Sequence, residues 1–205
     1  MRAAACTPAL SRKNDRTMSV TAYDQLCDTA REVALLTSTE SALSWDQETY
    51  MPAKALTFRA SQMSWLSGKA HALATGRMMQ KLLENALESK LRDPKQKANV
   101  KVMHEDFVKA AKIPGKLVIE ESETASHAKH AWIQARKSSD FSAFAPHLEK
   151  LLGIARRKAD LWGYADEPYD ALLSTYERGA RTREVAALFT KLKPDLTQIA
   201  RTAVE

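Results

Sequence analysis

The chain has 205 residues, 44% hydrophobic and 27% charged, with a formal net charge of +6 at neutral pH. A chain of this length buries roughly 70% of its unfolded surface, enough for one core or two small ones, and the apolar fraction excludes wholesale disorder. No apolar run approaches the roughly 20 residues that cross a bilayer, which excludes a transmembrane helix.

The first eighteen residues stand apart, with Arg2, Arg12, Lys13 and Arg16 set against the single acid Asp15. The apolar stretch Ala3 to Cys6 is too short and too small for a secretory core. A disordered extension over 1–18, or a start assigned too early with Met18 as the initiator, fits better than a short organelle presequence. Half of the positive excess lies there. The rest of the chain is only mildly basic, and no nucleic-acid partner is expected. Two cysteines, Cys6 and Cys27, make no disulfide framework, so a reducing cytoplasm is the simplest setting.

Apolar positions recur at helical spacing almost throughout 19–205, and no strand alternation stands out. The first predicted helix opens at Thr21, where Asp24 three residues on completes a capping box. Its stripe is Leu26, Ala30, Val33 and Leu36, running toward Leu43. Pro52 forces a break at Met51. A second helix starts near Ala53, uses Leu56, Ala60, Met63, Ala70 and Leu73, and stops at Gly76. A third uses Met79, Leu82, Leu83, Ala86 and Leu87 and ends before Pro94; a fourth uses Val100, Met103, Phe107 and Ala110. Pro114 fits the first turn of a fifth helix reaching Ser138. The sixth carries Phe141, Phe144, Leu148, Leu151, Leu152, Ala155 and Trp162 and closes at Gly163. A short helix over 168–176 follows. Thr182 then caps the last, which bears Val185, Leu188, Phe189, Leu192, Leu196, Ile199 and Ala203 and is kinked by Pro194. That stripe runs on to Ala203 with no closing signal, as in a chain cut in mid-helix.

Complete catalytic motifs are absent. A zinc-protease helix needs two imidazoles one turn apart with a glutamate beside the first, but His104-Glu105 is followed by Val108 where the second histidine is required. The closest metal-like pattern is Glu123, His127 and His130, which fall within about 60° on one helix face. Leu117, Val118, Ala125, Ala128, Trp132 and Ala135 occupy a nearly opposite arc, so a solvated polar face is the preferred reading. No nucleophile elbow or phosphate loop occurs. Cys27 sits on an apolar stripe as a buried thiol. Arg178, Arg181 and Arg183 surround a helix N-terminus and could meet an anion, though ordinary surface charge explains them. Trp45, Asp46, Glu48 and Tyr50 interleave aromatics with acids at a helix end, as a binding groove would. A terminating turn whose aromatics plug the core is the preferred alternative.

Three stretches resemble the carboxypeptidase Taq family of zinc metallocarboxypeptidases. The first is Ser41-Ala42-Leu43-Ser44-Trp45-Asp46-Gln47-Glu48-Thr49-Tyr50-Met51-Pro52 with Arg59 and Gln62. The second joins Trp132, Ala135 and Arg136 to Ser139-Asp140-Phe141, Phe144, Pro146, Leu148, Glu149 and Leu151. The third is Gly163-Tyr164, Pro168-Tyr169-Asp170-Ala171-Leu172-Leu173, Tyr176-Glu177, Gly179, Thr182 and Val185. Together they resemble the family's N-terminal region from about residue 20 onward. The periodicity gives about seven or eight helices, and the resemblance implies an elongated all-α array that is part of a longer and usually homodimeric enzyme. That enzyme removes single residues from peptide C-termini, with zinc polarising the scissile carbonyl and a glutamate accepting the proton of water. The family's His-Glu-x-x-His helix, its third ligand and its arginine motifs lie downstream and have no counterpart here. No catalytic residue and no cofactor is therefore assigned to this chain. The alternative is a stand-alone helical interaction or oligomerisation module derived from such an enzyme.

Overall fold

The structure, a computed structural model, describes residues 21–204; the extension expected over 1–18 lies outside the described residues. Among the described residues there are eight α-helices, one single 3-10 turn and no strand. The helices are α1 (Ala22–Thr49), α2 (Leu56–Thr75), α3 (Arg77–Glu88), α4 (Pro94–Ala111), α5 (Gly115–Ser138), α6 (Phe141–Trp162), α7 (Pro168–Leu173) and α8 (Thr182–Val204), with the turn at Ala53–Ala55. The all-α fold expected from the periodicity is therefore observed.

Local chemistry sets most boundaries. Thr21 and Asp24 form the reciprocal capping box, the Asp24 N–H donating to Thr21 Oγ1 at 3.1 Å and the Thr21 N–H to Asp24 Oδ2 at 3.1 Å. Pro94 occupies the first turn of α4, and Asp93 accepts from the Lys95 N–H at 2.8 Å. Gly76 serves at once as the end of α2 and the start of α3. A Cβ there would come 2.7 Å from the Ala72 carbonyl oxygen, so only glycine fits. Three expectations shift by a residue or more. Pro114 is the N-cap of α5 rather than its first helical residue. α7 stops at Leu173, short of Tyr176. Thr182 lies inside α8, and its N–H donates to Asp170 Oδ1 at 2.7 Å, so the cap comes from α7.

The chain divides into two compact units, with the boundary between Leu151 and Leu152, inside α6. In the first unit Leu26, Val33, Ala74, Met79, Leu82, Leu83, Ala86 and Val100 form a buried cluster joining α1, α2, α3 and α4. Each fully buried leucine here, such as Leu26 or Leu83, is worth about 2–5 kcal/mol against alanine. Packing of α2 on α5 is close because the facing residues are small. Ala60, Ser64, Ser126 and Ala128 are buried, and a Cβ on Gly68 would meet Ile119 Cγ1 at 2.9 Å. The inward arc of α5 is rotated from the one its periodicity predicts. Ala125 and Trp132 face out while Ser126 faces in. In the second unit Ile154 and Ala159 of α6 and Ala171 of α7 are buried, whereas the predicted stripe residue Leu152 is exposed. No described helix is long and apolar enough to cross a membrane.

Candidate functional site

The richest cluster of polar and aromatic groups lies where α1 ends and α2 begins. The Asp46 carbonyl accepts from both the Tyr50 and Met51 N–H groups at 3.0 Å, and Pro52, which has no N–H, ends the helix there. Arg59, one turn into α2, then fastens that terminus. Its Nη2 meets Asp46 Oδ2 at 2.6 Å, its Nη1 donates to the Leu43 carbonyl at 2.6 Å, and its Nε donates to Gln62 Oε1 at 3.1 Å. Its side chain is only 13% exposed. Glu48 pairs with Lys129 of α5 at 3.4 Å, and the Lys129 ammonium lies 5.4 Å from the Trp132 ring centre.

Both acids of the segment are thus engaged in ties between helices. The aromatics are not. Trp45 is 62% exposed and Tyr50 76%, packed edge to face with centroids 5.6 Å apart. This overturns the expectation that they plug the core: the residues that α1 buries are Leu26, Cys27 and Val33, toward its other end. Gln47, between the two paired acids, has its side-chain oxygen buried and without a hydrogen bond among the described residues. An acceptor left so costs about 1–3 kcal/mol. Of the four groove candidates, Trp45 and Tyr50 remain available for contact, whereas Asp46 and Glu48 are held by Arg59 and Lys129. Local pattern carries no sign of Lys129 as a partner, because the pairing joins residues eighty-one positions apart.

The metal candidates are not brought together. Among the described residues no three histidine, cysteine, aspartate or glutamate side chains form a group able to hold a metal ion. Glu123 is exposed and His127 and His130 half-buried along α5, and no fourth element completes them. His104 and Glu105 are exposed on α4. Cys27 is buried, as expected. Two of the three arginines share one carboxylate: Asp166 Oδ2 lies 3.0 Å from Arg181 and 3.5 Å from Arg183. The N-terminus of α8 already holds the Asp170 carboxylate, which accepts from the Thr182 N–H and hydroxyl, both at 2.7 Å. These bonds keep the Asp170 carboxyl below its ordinary pKa. A half-buried imidazole, His71 of α2, is pushed below its ordinary pKa by desolvation, against a hydrogen bond to the Ile113 backbone that acts the other way.

Residues 25–205 match the family described as carboxypeptidase Taq (M32) metallopeptidase. The chain belongs to the carboxypeptidase Taq family. It is 36% identical to thermostable carboxypeptidase 1 of Pyrococcus furiosus over 173 residues, covering 82% of this chain and 35% of that protein. It is 34% identical to thermostable carboxypeptidase 1 of Thermus thermophilus over 187 residues, covering 85% of this chain and 37% of the relative. Among solved structures, the M32 carboxypeptidase of Deinococcus radiodurans superposes with a TM-score of 0.73 at 33% identity, over 89% of this chain and 37% of that one. The chain thus spans little more than a third of the length of the carboxypeptidase Taq relatives it matches. Trp45 to Pro52, Arg59 and Lys129 all fall within the matched span.

Proposed function

We propose that this chain is the N-terminal helical part of a zinc metallocarboxypeptidase that removes single residues from peptide C-termini. It shapes or caps the substrate groove and is inactive alone. The observation that carries this reading is the family match over 25–205 against only 35–37% of the relatives' length, together with described residues that assemble no metal group. These residues do not fit a zinc ion. Zinc and the water-activating carboxylate belong to the longer enzyme. Trp45 and Tyr50 are the groove-facing candidates here. Their faces suit the apolar and peptide surfaces of a bound chain, and the Arg59 and Lys129 ties hold the helix end that presents them. The full enzyme is read as a cytoplasmic homodimer acting on peptides, with no nucleic acid and no membrane involved.

Incubation of the purified chain with zinc and C-terminally varied peptides tests the reading: no amino acid is released. Release at a rate scaling with chain concentration, and surviving repeated purification, contradicts it. The second reading, a stand-alone interaction module, draws on the exposed apolar face of α8. An open coding frame past Glu205 that encodes a His-Glu-x-x-His helix eliminates it; a stop codon there favours it.

A further inference from the structure

Helix α8 carries an apolar face that its own compact unit leaves largely exposed. Val185, Leu188, Phe189, Leu192, Leu196, Ile199 and Ala203 fall within an arc of about 100°, while Arg183 and Lys191 lie away from it and Lys193 and Arg201 flank it. Leu188, Phe189, Leu192, Leu196 and Ile199 are between 41% and 64% exposed, and an open groove runs past Phe189, Leu192 and Leu196. Tertiary hydrogen bonding to α8 is concentrated at Thr182, in its first turn. A 23-residue helix anchored only at one end is marginal in water, and helices of this kind draw most of their stability from a packed apolar face.

From the proposed function as its starting point, we infer that this face is the seat of the metal-bearing portion of a carboxypeptidase Taq-type polypeptide. The family match runs through the whole of α8 to residue 205, so α8 is a helix of the family fold, and its apolar arc is continuous to Ala203. The matched relatives are nearly three times the length that this chain covers, which supplies a partner large enough to bury the stripe. Residues 1–20 are a poor alternative cover, since they hold no aromatic, a single leucine and four cations.

The test is a chimera joining this chain to the part of the Pyrococcus furiosus relative beyond the matched region, compared with the chain alone by amide hydrogen exchange. Exchange along α8 is expected to slow on the order of tenfold or more in the chimera, with α3 unchanged. A Leu188→Glu, Leu192→Glu, Leu196→Glu triple variant restores fast exchange. Equal exchange of α8 in chimera and chain overturns the inference. So does protection in the chain alone that disappears on deleting residues 1–20, which assigns the face to its own N-terminal segment, or on dilution, which assigns it to a second copy. Carboxypeptidase activity is read separately. An active chimera with an unprotected α8 sinks the docking face alone, whereas a protected α8 in an inactive chimera keeps the face and counts against the functional reading. Should the chimera fail to fold, sedimentation of this chain with the separately made downstream fragment replaces it. A complex lost in the triple variant supports the inference, and no complex overturns it where that fragment still binds the relative's own N-terminal third.

Discussion

Arg59→Ala is the perturbation whose cost can be worked out most fully. The guanidinium makes three hydrogen bonds that hold the end of α1 against α2: to Asp46 Oδ2 and the Leu43 carbonyl at 2.6 Å each, and to Gln62 Oε1 at 3.1 Å. Bonds from a charged donor contribute about 1.5–3 kcal/mol when shielded. Asp46 is 38% exposed, so its share is discounted to about 1 kcal/mol for solvent screening. Adding the Leu43 carbonyl and a smaller part for Gln62 gives a loss of about 2–4 kcal/mol, or roughly 5–12 °C in Tm for a chain of this size. Lysine keeps the charge but loses the planar fork, so Arg59→Lys recovers less than half. Asp46→Asn, which leaves the Leu43 and Gln62 bonds in place, costs about 1 kcal/mol. Urea unfolding followed by far-ultraviolet circular dichroism measures all three. A loss below about 0.5 kcal/mol for Arg59→Ala, or a lysine variant as stable as the parent, refutes the claim that a fork of directed bonds fixes this corner.

Further outcomes follow from single positions. Gly76→Ala drives a Cβ to 2.7 Å from the Ala72 carbonyl and destabilises by about 1–3 kcal/mol, while Gly153→Ala in α6, with nothing within 4 Å, stabilises by about 0.4–1 kcal/mol; paired denaturation curves read both. Because the folded pKa of His71 is depressed, the unfolded chain binds the proton more readily. The contribution of His71 to stability is therefore constant above about pH 6.5 and declines as pH falls toward the lowered folded value; His71→Gln flattens that slope in pH-dependent melts. Asp170 also has a depressed folded pKa, but as a carboxyl its contribution is present above the ordinary carboxylate value and lost as pH falls through the folded one. Asp170→Asn reproduces the acid effect at neutral pH, read as faster amide exchange in the first turn of α8.

Helix boundaries were legible in the sequence wherever one or two adjacent residues determine them. The Thr21–Asp24 box, the Pro52 break, the Gly76 junction and the Gly163 stop all rest on local backbone chemistry. Gly163, at φ 81°, sits where other residues are strained. α5 is closed less predictably. Ser139 takes φ 54° without being glycine, and the Asp140 N–H reaches the Ala135 carbonyl at 2.9 Å to complete the closure. What periodicity could not show was which neighbour covers each stripe. The α8 stripe is apolar as its periodicity predicts, yet its own compact unit leaves it largely exposed, and Trp45 is exposed rather than the core plug expected of it. In the candidate site, the segment Trp45 to Tyr50 was visible as an aromatic–acid alternation. Arg59 and Lys129, which decide that its acids are structural, act across helices, where composition leaves no trace.

The central claim, that the metal site of the family lies outside this chain, is tested most directly by zinc stoichiometry. Equilibrium dialysis of the purified chain at neutral pH, read by elemental analysis, is expected to show no saturable zinc. One zinc per chain, lost in both His127→Ala and His130→Ala, contradicts the account.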